Sequence, residues 1–213
     1  MGREDWYRSR TWSEEDRAAF YARLKRSRGA FHKAQYLRIQ AVYLAEAGNH
    51  GAALDLLTEL FRDCPDPSQL AQAALQRATS LLAIGRVDEA IDEYRHSLQT
   101  QRAHPGWKTG GHLEFAWLIA VRGMSNLYDE AIAVLDEFSG RVSLAFPQHR
   151  YMHACARAII ADSRGDIKAA REFATKALDA ASAEHSGFRY HPQLGLVSAD
   201  AEMRRRLEVI ARA

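Results

Sequence analysis

Gly85-Arg86-Val87-Asp88-Glu89-Ala90-Ile91 recurs as Gly48 to Leu54, as Asn126 to Ile132 and, more loosely, as Gly165 to Arg171. Each copy reads as the turn of a helical hairpin. A glycine or asparagine ends one helix in the left-handed conformation, and five residues later a small alanine lets the next helix pack closely. The anchors at 48, 85, 126 and 165 stand about 40 residues apart, a period that belongs to stacked helix pairs. A repeat array of this kind points to a protein that holds another macromolecule.

The segments between the turns agree. An aromatic-basic lead, Trp6-Tyr7-Arg8-Ser9-Arg10-Thr11-Trp12, precedes Ser13-Glu14-Glu15-Asp16. Ser13 is a good N-cap, and the acids after it complement the helix dipole. The helix they start is expected to run to about Arg28, either as a basic docking helix or as a solvated cap on the first repeat. The first hairpin is read from about Ala30 to Cys64. Pro65 stops it, and Asp66 and Pro67 restart the chain as N-cap and first helical residue. The second hairpin spans Ser68 to Ala103. Each helix has one apolar face, so the hairpins must stack to bury a shared core.

Composition narrows the function classes. The 213 residues are 47% hydrophobic and contain five prolines, enough apolar side chains for a substantial core and few helix breakers. Net charge is +2, but residues 1–40 hold ten Lys/Arg against five Asp/Glu. A basic end on an otherwise more acidic chain suits electrostatic steering of a partner and falls short of the stripe expected of a nucleic-acid binder. Cys64 and Cys155 have no paired spacing and read as reduced thiols of a cytoplasmic protein. The charged start has no apolar run behind it, and no stretch approaches the ~18 apolar residues of a membrane span. Trp6 stands where a myristoylation context wants Ser or Thr.

With the turn glycine at position 15, the residues resemble the 34-residue tetratricopeptide (TPR) motif. Ala41, Ala53, Leu57 and Pro65 occupy its small, small, large apolar and proline positions, followed by Ala78, Leu81, Ala90 and Tyr94, then Tyr128, Ala131 and Leu135. Leu37, Ala74 and Phe115 replace its helix-A aromatics, the fourth copy is alanine-heavy, and the period exceeds that of the motif. The whole chain also resembles a family of stand-alone bacterial TPR-like proteins, through Trp6-Tyr7 to Thr11-Trp12, Tyr36 to Ala41, and Ser186 to Pro192. That likeness brings no activity and no catalytic residues with it. It implies an all-α, TPR-like solenoid of about four hairpins with flanking helices. The expected organisation is a lead and capping helix over 1–29, a repeat array over 30–185, and a loop and C-terminal capping helix over 186–213.

The resemblance also implies a concave groove lined by the first helix of each hairpin. Its expected partner-binding residues are Gln35, Arg38, Val42, Gln72, Leu75, Thr79, Leu82 and Met152, together with Ala45, Leu113, Ala116, Ala120, Gly123, Cys155, Ile159 and Asp162. The Lys and Asn ring by which some TPR domains hold an acidic C-terminus is missing. Such a groove suits an amphipathic helix or a partly apolar segment; the alternative is that small residues here only allow tight packing, with the C-terminal helix filling the space.

Two connections are too long for simple turns. The stretch 104–112 offers Trp107 and Lys108, but its Lys108-Thr109 precedes the glycines, the reverse of a phosphate loop. The stretch 187–195 gathers Phe188, Arg189, Tyr190 and His191, residue types rich in binding hot spots, though packing against the last helix, read as 198–211, would use them equally.

Neither a metal site nor catalysis is expected. His149 and His153 share a helical face, but Cys155 points about 200° away from His153. His112 could be paired on paper with Glu114 or Asp129, yet no activated nucleophile accompanies it. The reading is therefore a non-enzymatic, cofactor-free protein–protein interaction module that takes a peptide or folded protein partner, without membrane or nucleic-acid binding and compatible with a homodimer. Its alternatives are an immunity-type protein neutralising a cognate toxin, and a small-molecule sensor or enzyme using the His-containing loops.

Overall fold

The computed structural model describes residues 5–140, 144–198 and 201–213. Within them the chain is all-helical, with ten α-helices and no strand. It divides into two compact units, residues 1–111 and 112–213. No helix among the described residues is long and apolar enough to cross a membrane.

In the first unit a 3₁₀ turn, Asp5–Tyr7, leads into α1 (Glu14–Leu24). Ser13 caps α1 as its sequence suggests: its Oγ accepts from the Asp16 N–H at 3.2 Å, and Asp16 Oδ2 accepts from the Ser13 N–H at 3.0 Å. This reciprocal box satisfies two otherwise orphaned donors. The helix stops at Leu24, short of Arg28. There the hydrogen bonds tighten to Arg26 N–H on Arg23 and Ser27 N–H on Leu24, and Gly29 turns left-handed at φ 83°.

Two hairpins follow. Helices α2 (Ala30–Glu46) and α3 (His50–Asp63) form the first, and α4 (Pro67–Ala83) and α5 (Val87–Ala103) the second. Asp66 caps α4 by accepting from the Ser68 N–H, and Pro67 takes the first position. Contacts run α2 to α3, α3 to α4 and α4 to α5, and α2 also meets α4. Leu37, Leu44, Leu56, Leu57 and Leu60 are buried in one core that reaches Phe20 and Tyr7. The extra helix and lead are thus joined to the first hairpin by the same apolar cluster.

The second unit is built on α6 (Gly111–Val121), α7 (Tyr128–Ser139), α8 (Pro147–Ser163), α9 (Ile167–Ala181) and α10 (Ala201–Arg212). Helices α8 and α9 pack extensively, with α10 against both. Ala170, Ala174, Ala177 and Ala180 form the buried stripe of α9, so small side chains let its backbone approach α8. In α10, Met203, Leu207 and Ile210 are buried. The described part of this helix is Ala201–Arg212, and residues 199–200 of the expected 198–211 lie outside the described residues.

Four helix ends share one hydrogen-bond signature. The N–H of Asn49 donates to Leu44 O at 2.8 Å, Arg86 to Leu81 at 2.9 Å, Met124 to Ile119 at 3.0 Å and Asp166 to Ala161 at 3.0 Å. Each is the six-to-one bond that closes a helix end around a left-handed residue. Those residues are Gly48, Gly85, Gly123 and Gly165, at φ 82°, 79°, 65° and 74°. Asn126 is therefore not the third anchor: no described non-glycine residue has positive φ. It lies in a 3₁₀ turn, Ser125–Leu127, inserted between Gly123 and α7. Ala53, Ala90, Ala131 and Ala170 are all buried to within 1%, so the small residue keeps its packing role even where the insertion shifts its distance from the turn.

Candidate functional site

Helices α2 and α4 lie against each other in the first unit and present the residues read as the start of a groove. Gln35, Arg38 and Val42 on α2 are half-buried, as are Gln72 and Leu82 on α4; Thr79 is exposed and Leu75 is buried. Thr79 Oγ1 returns its proton to Leu75 O at 3.1 Å, the usual resting bond of a helical threonine. Arg38 has a fixed neighbour: its Nε donates to Gln69 Oε1 at 2.7 Å. Burial holds the guanidinium below its ordinary pKa. Arg38 consequently ties α2 to α4 as well as offering charge to the surface, a double role that helical spacing alone does not reveal.

In the second unit Met152 is half-buried, whereas Leu113, Ala116, Ala120, Cys155 and Ile159 are buried and Gly123 and Asp162 exposed. Most of these positions serve packing. The Cys155 thiol is pushed up to about 12 by burial, and Cys64 is also raised; both are free thiols without the exposed, electropositive setting of a reactive cysteine.

The long connections are more ordered than their lengths suggest. The Thr109 N–H donates to Gln101 Oε1 at 2.8 Å and Thr109 Oγ1 accepts from the Gly111 N–H at 3.1 Å, which pins the start of α6. Trp107 and Lys108 remain exposed. In the second loop, Ser186 closes a turn through its N–H on Pro192 O and its Oγ on His191 O, both at 2.8 Å. Phe188 stacks on Phe146 at 5.0 Å, and Gly195 O accepts from the Gln148 N–H, so the loop seats the start of α8. A Cβ at Gly195 would lie 2.6 Å from Phe146 Cγ, which is why only glycine fits. Arg189 lies over the Tyr190 ring, and Tyr190 and His191 face solvent.

The histidines divide by environment. His153 accepts from Arg157 Nε at 3.2 Å, and Arg157 is ion-paired with Asp136. Burial first, then the Arg157 charge, pulls the imidazole down to about 4. His112 is buried and stacks on Phe138 at 5.2 Å; Asp129 instead pairs with Arg164 at 2.6 Å. Among the described residues, no three His, Cys, Asp or Glu side chains gather as metal ligands.

A second surface emerges where the lead crosses α1. Trp6 packs on Tyr7, Phe20 and Tyr36 with ring centroids 5.2, 5.5 and 4.8 Å apart, and Trp12 meets Phe20 at 5.4 Å. Gln40 of α2 is buried and exchanges hydrogen bonds with the Ser9 backbone. The result is an open concavity of about 1080 Å³. Sequence reading found the aromatic-basic composition, but could not place the lead alongside one face of α1.

Comparison with protein-family models, with curated proteins and with solved structures finds no match to this chain.

Proposed function

We propose that the protein is a non-enzymatic interaction module of the TPR-like helical-hairpin kind, which takes a peptide or protein segment along the exposed faces of α2 and α4. The observation that carries this reading is the row of Gln35, Arg38, Val42, Gln72, Thr79 and Leu82, half-buried or exposed on two adjoining first helices of successive hairpins. Mixed apolar and amide side chains on such a face suit an amphipathic segment, whose apolar residues cover Val42 and Leu82 while its polar groups meet the glutamines. The turn geometry shared by the two hairpins of the first unit supports a repeat reading of this face.

The test is capture of partners from native lysate with tagged protein, comparing wild type with a Thr79→Arg, Leu82→Asp variant. Arg38 is left intact because it braces α4. A partner kept by the wild type and lost by the variant, with unchanged helical circular dichroism, supports the face; equal capture by both places the binding surface elsewhere.

A further inference from the structure

The concavity beside α1 has a composition that the α2/α4 face lacks. Along α1, Ala19, Phe20 and Arg23 line it at helical spacing, and Arg26 continues the row past the helix end. The opposite wall is Trp6, Arg8 and Trp12. Arg23 and Arg26 are exposed, and neither has a carboxylate partner among the described residues; Arg8 lies over the Tyr7 ring at 5.3 Å. Of the acids at the edge, Asp16 is spent on the Ser13 cap and Asp5 already makes a contact. Arg8, Arg23 and Arg26 outnumber Asp5 and Asp16 in the described lining, so its net charge is positive, and it borders indole and phenyl rings.

Length selects the occupant. The row from Asp16 to Arg23 extends roughly 10 Å at the helical rise and carries on past the helix end to Arg26 and Ser27, a span too long for a compact ligand and suited to four or five extended residues at about 3.3 Å each. Carboxylates spaced along such a strand would meet the arginines, and one large apolar side chain would lie on the rings between Trp6 and Trp12. We propose that this trough binds an acidic peptide segment carrying one aromatic or large aliphatic anchor. Tyr36 and Gln40 border the trough from the side of α2 away from Arg38, so the proposal does not depend on the α2/α4 face.

The experiment uses the full chain and a fluorescein-labelled peptide, Asp-Glu-Asp-Phe-Glu-Asp-Ser-Glu, read by fluorescence anisotropy in low salt. Arg23→Glu with Arg26→Glu should weaken binding at least about tenfold, since it replaces attraction by repulsion at the rim. Arg205→Glu with Arg206→Glu, an equal charge change on exposed positions of α10, should leave it unchanged. A peptide with Ser in place of Phe should also bind at least about tenfold more weakly. Circular dichroism confirms that each variant is folded. The proposal is overturned by absence of saturable binding, by equal losses from the two charge reversals, by indifference to the Phe, or by tighter binding of ATP or a single-stranded oligonucleotide to the same arginines.

Discussion

Arg38 Nε donates to Gln69 Oε1 at 2.7 Å, joining α2 of the first hairpin to α4 of the second. Gln69 is itself 7% exposed, so this bond operates where water competes poorly. It makes a residue of the candidate binding face part of the structure that holds the face in shape.

Replacing Arg38 by Ala should therefore cost about 1–2 kcal/mol of stability, the loss of a charge-assisted bond and of side-chain packing. Gln69→Ala should cost a similar amount, and the double variant less than the sum. Urea denaturation of the four proteins of this cycle measures the coupling; strict additivity would show that the bond contributes nothing.

Gly85 and Asn126 separate the two readings of the turns. A Cβ at Gly85 meets nothing within 4 Å, so Gly85→Ala tests conformation alone and should cost about 1–2 kcal/mol for the left-handed backbone. Asn126→Ala should stay within about 0.5 kcal/mol, because Asn126 has no left-handed role. Thermal melts of the two variants decide the matter, and equal shifts would contradict the assignment of Gly123 as the third anchor.

Acid should destabilise the fold through His153. Its folded pKa is pulled down to about 4 from an ordinary 6.5, so between those values the unfolded chain takes up a proton that the folded protein refuses. Stability rises with pH across this window, is complete above it, and levels off below it. For a half-buried group facing Arg157, Lys176 and Asp136, solvent screening reduces the effect to about 1 kcal/mol. Denaturation midpoints of wild type and His153→Gln, compared at neutral pH and near pH 4.5, should differ in slope, the variant losing less on acidification.

Local sequence determined what local chemistry can decide. Glycine placement marked three of the four left-handed turns, Ser13 and Asp66 marked helix starts, and buried alanines marked close helix contacts, since each feature depends on residues within one or two turns of chain. The third turn escaped because Asn126 and Gly123 both tolerate a helix end, and only the observed backbone distinguishes a cap from a short 3₁₀ insertion. Arg38 looked free because its partner is 31 residues away. Trp6, Trp12, Arg23 and Arg26 form one surface only once the lead packs beside α1, and the closure of Phe188 and Gly195 over Phe146 is equally distant in sequence. Turns, caps and small packing residues were legible because their energies are local; which side chains remain available to a partner was decided by tertiary contacts that consume some of them and leave others exposed.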